Sequence, residues 1–101
     1  MTNPWSPLRL GDIELEHRLA MAPMTRDRSA ATGAPTAMNT EYYAQRASMG
    51  LVVTEGTQPS DDGQGYLLTP GIYTEQHVAG WKEVTLAAAT HPQAQPSPST
   101  A

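Results

Sequence analysis

Short apolar stretches alternate with turns and with two helical stretches along the chain. Apolar and polar residues alternate over residues 8–10 and again over residues 13–15, on either side of Gly11 and Asp12. This pattern predicts a β-hairpin with a two-residue turn. The next apolar stretch, residues 19–22, runs into Pro23, which has no N–H to donate to a neighbouring strand. We therefore expect a buried strand that ends there.

A loop, a helix and a second strand are predicted next. Residues 26–37 lack periodicity and are rich in small and polar residues and in breakers, so we expect a loop. From about Asn39 the spacing becomes helical, and Gly50 is placed to end that helix. Its expected packing positions are Met38, Tyr42 or Tyr43, and Ala47. Residues 51–54 then form a compact run typical of a parallel strand buried on both faces.

A long loop separates this strand from a second helix. Residues 58–73 contain several glycines and prolines, and a loop of that length in a small domain is usually functional. Thr74 can cap the following helix, and Glu75 lies favourably at the positive end of its dipole. The expected apolar side of this helix carries Val78, Trp81, Val84 and Ala88.

The predicted order is hairpin, then β-α-β-α, which indicates an α/β fold with a parallel strand pair. A parallel sheet needs further strands at its edges and cover on both faces, and little sequence remains to supply them. Residues 91–101 are rich in proline and small polar residues. We predict two regions, namely residues 1–90 as the first part of a larger domain and residues 91–101 as a disordered tail.

Composition narrows the function classes. The chain has 101 residues, a net charge of -4 and six lysines and arginines, so we expect neither a nucleic-acid partner nor more than one domain. No apolar run approaches the length needed to span a membrane, and no secretory signal is evident at residues 1–5, so we expect a cytoplasmic protein. The absence of cysteine excludes disulfides, thiolate metal sites and a cysteine nucleophile.

The residues that follow the two parallel strands are the first candidates for a site, because β/α barrels place their chemistry at the carboxyl ends of their strands. Those segments are residues 22–25 and 55–58. Other candidates are weaker. The three histidines lack metal-ligand spacing, so no metal is assigned, and His17 and His77 are expected to be solvated at the surface. The Asp61-Asp62 pair is expected to lie in solvent rather than to share a catalytic proton.

Several ordered motifs resemble one known family. The strings RLAMAPMTR (residues 18–26), YYAQRAS (42–48) and GLVVTEGTQ (50–58) resemble the first strand, first helix and second strand of the old yellow enzyme barrel. Further matches occur at residues 63–66, 69–73 and 80–82. The resemblance covers about Pro7 to Leu86, and its strength lies in the order and spacing of the motifs.

The resemblance implies the opening portion of a TIM (β/α)8 barrel, made of an N-terminal hairpin and the first two βα units. It also implies an FMN-dependent oxidoreductase that uses NADH or NADPH to reduce small activated alkenes such as enones. The flavin-contacting residues that it implies are Ala22, Pro23, Met24, Thr25 and Gly56. Thr25 would bond near the flavin C4 carbonyl and N5, and Met24 would pack on the ring. Tyr66 would line the substrate pocket.

The same resemblance implies parts that are missing from these 101 residues. In the family, later strands bring the remaining flavin ligands, the pair that holds the substrate carbonyl and the proton donor. We therefore expect a truncated fragment that is inactive alone. The alternative is a non-catalytic interaction fragment that pairs through exposed strand edges or through its proline-rich tail. Self-association of several copies is a third interpretation.

Overall fold

The computed structural model describes residues 3–91, and it contains two separate strand pairs and two packed helices. The regular elements, in chain order, are β1 (Leu8–Leu10), β2 (Ile13–Leu15), β3 (Ala20–Met21), α1 (Ala37–Ala44), β4 (Leu51–Val52) and α2 (Glu75–Thr90). A single turn of 3-10 helix, Asp61–Gly63, interrupts the long loop before α2. The predicted tail lies outside the described residues from Pro92 onward, so it stays a prediction.

The hairpin is confirmed. Strands β1 and β2 are antiparallel, with Leu10 opposite Ile13, so Gly11 and Asp12 form the two-residue turn. Gly11 adopts a φ of 62°, a left-handed conformation that glycine takes at little cost. Of the apolar hairpin residues only Leu15 is buried, whereas Leu10 and Ile13 are exposed. The hairpin therefore adds little to the core.

The parallel pairing is also confirmed, but both strands are shorter than predicted. The prediction that the strands are buried was wrong, because Ala20 and Val53 are exposed and Met21 is the one fully buried residue of the two predicted strands. Ala20 pairs with Leu51, and Met21 pairs with Val52. The backbone N–H of Val53 donates to the carbonyl of Met21 at 3.2 Å, beyond the last paired residues. The ladder cannot continue in the usual way on β3, because Pro23 lacks an N–H. The predicted strand at residues 51–54 thus keeps only its first half.

Helix α1 begins earlier and ends earlier than predicted. The Asn39 side chain accepts a hydrogen bond from the backbone N–H of Thr36 at 2.7 Å, which fixes the start of the helix at Ala37. After Ala44 the backbone bonds shorten to a three-residue spacing, as in Ala47 N–H to Ala44 O at 3.2 Å. The chain therefore tightens into turns before Gly50 instead of continuing as α-helix.

Helix α2 has the predicted cap. The Thr74 hydroxyl accepts from the backbone N–H of His77 at 3.0 Å, and Glu75 occupies the first turn. Trp81 and Val84 are buried as expected, but the prediction that Val78 faces the core was wrong, since its side chain is 44 % exposed. Val78 instead lines a surface pocket together with Ile72 and Lys82.

The core lies between the helix pair and the strand pair. Its buried members are Met21, Tyr43, Trp81 and Val84, with Tyr42, Met49 and Val52 packed against them. The Trp81 indole N–H donates to the carbonyl of Gly71 at 3.0 Å, so its polar atom is satisfied inside the core. Met38 was predicted to pack here, and that was wrong, because it is 64 % exposed. The early start of α1 places Met38 on the first turn of the helix, at the surface.

The prediction for His77 was wrong as well. This side chain is 1 % exposed, and its Nε2 donates to the carbonyl of Thr32 at 2.7 Å. Its Nδ1 accepts from the backbone N–H of Tyr73 at 3.3 Å. Gly33 and Gly71 pack so closely on the ring that a Cβ on either would come within 3.0 Å of a ring atom. His77 therefore ties α2 to two loops.

The long loop is ordered by its own hydrogen bonds. Gln58 forms an isolated parallel bridge with Gly71, and its side chain donates to the carbonyl of Thr69 at 2.9 Å. The Thr69 hydroxyl donates back to the Gln58 side chain at 3.0 Å. Asp61 and Asp62 are exposed at the tip, as predicted. Within residues 3–91, no helix is long and apolar enough to cross a membrane.

We predict that Gly50→Ala destabilises this fold, because the added Cβ would overlap the backbone carbonyl oxygen of His17. Backbone cannot give way as a flexible side chain can, so the expected loss is about 1 to 3 kcal/mol of unfolding free energy. Urea denaturation followed by tryptophan fluorescence measures it. The matched control is Gly65→Ala, where a Cβ meets nothing within 4 Å. Equal midpoints for the two variants would contradict the prediction.

Candidate functional site

The two segments that follow β3 and β4 lie at one edge of the molecule. Because the strands are parallel and paired in register, their carboxyl ends point the same way. Residues 22–25 leave β3 and residues 53–56 leave β4 at that edge, which we call the strand-end edge. In parallel α/β folds, ligands bind outside the carboxyl ends of the strands. The structure thus brings together two of the segments predicted to form the site.

The residues after β3 present an open surface. Ala22, Pro23, Met24 and Thr25 are all exposed, with Met24 at 42 %. Within residues 3–91, the Thr25 hydroxyl makes no hydrogen bond. The backbone carbonyl of Thr25 accepts a hydrogen bond from the Arg26 side chain at 3.0 Å. The segment therefore offers a small apolar surface beside one hydroxyl that is available to a ligand.

Gly56 provides open space on the second segment. A Cβ built on this residue meets nothing within 4 Å, and its φ lies outside the left-handed range that would demand glycine. The described fold itself therefore has no need of glycine at this position. An absent side chain here leaves room for close approach to the backbone.

Tyr66 lies on the long loop and is not brought to the strand-end edge by any hydrogen bond or ring contact within residues 3–91. Its side chain is 69 % exposed, and its carbonyl accepts from Gln64 and Thr69 side chains. The loop contacts the chain after residues 22–25 at one point, where the backbone N–H of Ser29 donates to the carbonyl of Leu68 at 3.0 Å. The Tyr66 side chain itself is exposed and is not packed in place.

A buried pair under the strand-end edge was missed by the sequence interpretation. The Tyr43 hydroxyl donates to Glu55 Oε2 at 2.8 Å and accepts from the backbone N–H of Glu55 at 2.9 Å. Glu55 is 2 % exposed and Tyr43 is 1 % exposed. The sequence predicted packing for Tyr42 or Tyr43, and Tyr43 confirms it, but only the strand register reveals its polar partner.

The pair fixes the backbone next to Gly56. Because the Tyr43 hydroxyl bonds to both the side chain and the backbone of Glu55, helix α1 holds the end of β4 by two hydrogen bonds. Burial raises the pKa of Tyr43 well above its usual range. The hydrogen bond from the Glu55 backbone N–H lowers this pKa, whereas the hydrogen bond to the Glu55 side chain and the charge of that side chain raise it. The hydroxyl therefore stays protonated and keeps its role as donor.

One oxygen of this glutamate lacks a partner. Glu55 Oε1 is buried without a hydrogen bond within residues 3–91, and the described residues place no cation against it. A buried acceptor of this kind is costly unless something outside the described residues satisfies it. Glu55 thus leaves one buried acceptor near the strand-end edge unsatisfied within residues 3–91. No group of three metal-ligating side chains occurs in the described part of the chain.

The sequence that forms this edge matches a known protein family. Residues 5–94 match the profile of the NADH:flavin oxidoreductase / NADH oxidase family. The chain belongs to this family, of which the old yellow enzymes are members. The family predicted from the motifs is thereby confirmed, and within residues 3–91 the two parallel strands belong to a small α/β unit without a closed barrel.

Individual relatives agree in fold and sequence. The chanoclavine-I aldehyde reductase of Penicillium roqueforti is 47% identical over 87 residues, which are 84% of this chain and 24% of that protein. The old yellow enzyme homologue of Zymomonas mobilis has a TM-score of 0.83 at 39% identity, over 86% of this chain and 24% of its own. Morphinone reductase, solved in complex with tetrahydroNAD, has a TM-score of 0.86 at 40% identity, over 91% of this chain and 25% of its own.

The chain therefore spans about a quarter of the length of the relatives that it matches. The match includes the strand-end edge, since both of its segments fall within residues 5–94. Family members use FMN together with a nicotinamide reductant, which agrees with the predicted cofactors. The roles of individual residues at the edge are not tested by these likenesses and stay predictions.

The buried Tyr43 hydroxyl gives a pH prediction. Its pKa in the folded chain lies above the ordinary value of 10.0. Below pH 10.0 the hydroxyl is protonated in both the folded and the unfolded chain, so it gives the free energy of unfolding no pH dependence there. Above it the unfolded chain loses this proton more readily, and the free energy of unfolding falls as the pH rises. The titration is followed by the near-ultraviolet absorbance of the tyrosines. We expect the last tyrosine to lose its proton at the same pH at which the chain unfolds.

The assignment is tested with two variants. Tyr43→Phe should remove the late step from the titration, whereas Tyr66→Phe, which alters an exposed ring, should keep it. A late step that survives in Tyr43→Phe would assign the high pKa to another tyrosine and contradict the prediction.

Proposed function

We propose that this chain forms the first quarter of an FMN-dependent barrel that oxidises NADH or NADPH and reduces small activated alkenes. The observation that carries the proposal is the strand-end edge, where two parallel strands of a flavin oxidoreductase family end in residues with open, unpartnered surface. FMN, when bound, would accept hydride from the nicotinamide and pass it to the alkene.

The residues at the edge fit a flavin. Its planar ring needs a flat, weakly polar surface and a few hydrogen-bond donors, and Ala22, Pro23 and Met24 are exposed and uncharged. The Thr25 hydroxyl makes no hydrogen bond within residues 3–91, so it is available as a donor. Gly56 leaves open space where any side chain would intrude. No charged side chain among these five residues opposes the ring.

Each residue has a distinct proposed task. The Thr25 hydroxyl donates to the polar edge of the ring, near its C4 carbonyl and N5, and such a hydrogen bond favours the electron-rich reduced state. The Met24 thioether packs on the ring as a soft, adaptable contact. Tyr43 and Glu55 hold Gly56 in position from beneath. Tyr66 becomes a substrate contact only if its exposed loop settles against the edge.

The edge alone does not complete a flavin site. A barrel holds phosphate through its later strands, and the relatives devote about three quarters of their length to the parts that this chain lacks. The unpartnered Glu55 Oε1 supports the proposal that further strands complete the site, because residues 3–91 provide no hydrogen-bond donor for it. We therefore propose that alkene reduction requires those later strands.

A chimeric barrel tests the function. Residues 5–94 of this chain would replace the matching segment of the Zymomonas mobilis homologue, whose structure matches 86% of this chain with a TM-score of 0.83. We expect the chimera to purify with FMN and to reduce an enone with NADPH. Gly56→Val in the chimera should weaken FMN binding about tenfold or more, corresponding to about 1.4 kcal/mol of clash.

The matched control for the chimera is Gly65→Val, a glycine with equally open surroundings on the loop. It should leave the FMN dissociation constant unchanged. A folded chimera without flavin, or equal effects of the two substitutions, would contradict the placement of FMN at the strand-end edge.

A separate measurement on the purified 101-residue chain tests the alternative of a non-catalytic, self-associating fragment. Flavin absorbance and sedimentation are recorded together, with an enone-reduction assay on the same sample. We expect no enone reduction, because the residues that complete the flavin site lie outside this chain. A multimer that binds FMN and turns over an enone would show that several copies complete the site, and would contradict the requirement for later strands.

A further inference from the structure

A second candidate site lies beside the first helix, apart from the strand-end edge. It is a pocket of about 260 Å³ between the loop after β3 and one side of α1. Its lining residues are Arg26, Arg28, Met38, Asn39 and Tyr42, and we call it the arginine pocket. None of these residues belongs to the proposed flavin contacts, so the pocket needs its own explanation.

The two arginines in the lining are held by hydrogen bonds to backbone carbonyls. Arg26 Nε donates to the carbonyl of Thr25 at 3.0 Å, and Arg28 Nη1 donates to the carbonyls of Arg26 and Asp27 at 3.3 and 3.0 Å. Within residues 3–91 neither guanidinium forms an ion pair. These backbone bonds use one nitrogen of each group, so most of the donor capacity of each fork stays available. The loop thus holds two cationic groups in place without neutralising them.

The third polar group of the pocket is a buried amide. Asn39 is 2 % exposed, and its Oδ1 accepts from the backbone N–H of Thr36 at 2.7 Å and from the Thr36 hydroxyl at 2.9 Å. The backbone N–H can only donate, so this bond identifies the oxygen of the amide. The Nδ2 group makes no hydrogen bond within the described residues. Asn39 therefore lines the pocket with its oxygen engaged and its donor available.

An aromatic wall completes the pocket. The Tyr42 ring lies 5.5 Å from the guanidinium carbon of Arg26 and 3.9 Å from that of Arg46. Beside it, the Met38 side chain is 64 % exposed. No carboxylate lines the pocket, although Asp27 lies between the two arginines in sequence and has one buried oxygen. The pocket therefore combines hydrogen-bond donors and positive charge with a flat apolar side.

We propose that the arginine pocket binds the phosphate group of a small molecule that also carries a planar ring. A phosphate has several acceptor oxygens, and two guanidinium forks with one amide donor match that chemistry. The ring would lie against Tyr42 and Met38, where stacking and apolar contact are available. Free phosphate esters and the phosphate end of a nucleotide share this chemistry, and the choice of probe separates them.

The experiment is a titration of the full 101-residue chain by nitrogen-15 NMR. Inorganic phosphate, phenyl phosphate and adenosine 2′-phosphate are added separately at constant ionic strength, with chloride as the reference salt. We expect saturable shifts of the Asn39 side-chain amide and of the Arg26 and Arg28 Nε–H signals. Either ring-bearing probe should bind more tightly than inorganic phosphate, and tighter binding of adenosine 2′-phosphate than of phenyl phosphate indicates a nucleotide.

Two substitutions test the assignment to these residues. Arg28→Ser should weaken binding of the ring-bearing probes about tenfold or more, since it removes charge-assisted hydrogen bonds. The matched control is Arg9→Ser, which removes the same charge from an exposed residue of β1 outside the pocket. Tyr42→Leu should reduce the advantage of the ring-bearing probes over inorganic phosphate.

The opposite results overturn the proposal. No saturable shift at the Asn39 amide, or equal weakening by Arg28→Ser and Arg9→Ser, would mean that the pocket does not hold phosphate. Equal affinity for all three probes would remove the role assigned to the Tyr42 wall. These outcomes are independent of FMN, so the phosphate site and the proposed flavin site stand or fall separately.

Discussion

The double hydrogen bond between the Tyr43 hydroxyl and Glu55 is the contact on which the candidate site depends. It joins helix α1 to the end of β4, and it does so at a residue whose neighbour, Gly56, is a proposed flavin contact. Tyr43 also packs near Trp81 of α2, with ring centroids 6.2 Å apart. One side chain therefore connects both helices, the core and the strand-end edge. Moving it would displace the backbone that Gly56 occupies.

The same contact satisfies only half of the Glu55 carboxylate within residues 3–91. Tyr43 satisfies one oxygen of Glu55, while the other is buried and unpartnered within residues 3–91. A buried half-satisfied carboxylate is stabilised when a donor reaches it. Apolar side chains such as Leu67 and Val78 are also exposed to solvent within residues 3–91. The relatives that this chain matches are about four times as long.

Much of the element order could be predicted because it follows from local signals. The Gly11 turn, the Thr74 cap and the stop at Pro23 each act within a few residues, and all three are confirmed. The end of α1 was not predictable in this way, because Gly50 looked like a helix stop while the bonds after Ala44 had already tightened. Its position depends on packing against α2 and the strands, which sequence spacing does not report.

The candidate site also contains some features that the sequence predicts and others that it does not. Residues 22–25 and Gly56 could be placed at one edge because parallel strands fix where their ends lie. The burial of His77 could not, since its ring donates to the Thr32 carbonyl, 45 residues earlier in the chain, and packs against the neighbouring Gly33. The Glu55 partnership escaped for the same reason. Contacts that span loops depend on how those loops fold back, and residue type alone does not reveal them.

The parallel pairing of β3 with β4 also sets an order of events during folding. Ala20 meets Leu51 only after a loop of about 30 residues has closed, which costs conformational entropy before any bond rewards it. Helices and two-residue turns need only neighbouring residues and form within microseconds. The hairpin and both helices should therefore appear first and the strand pair last. We therefore expect the edge where we propose the cofactor to be the last part of the unit to assemble.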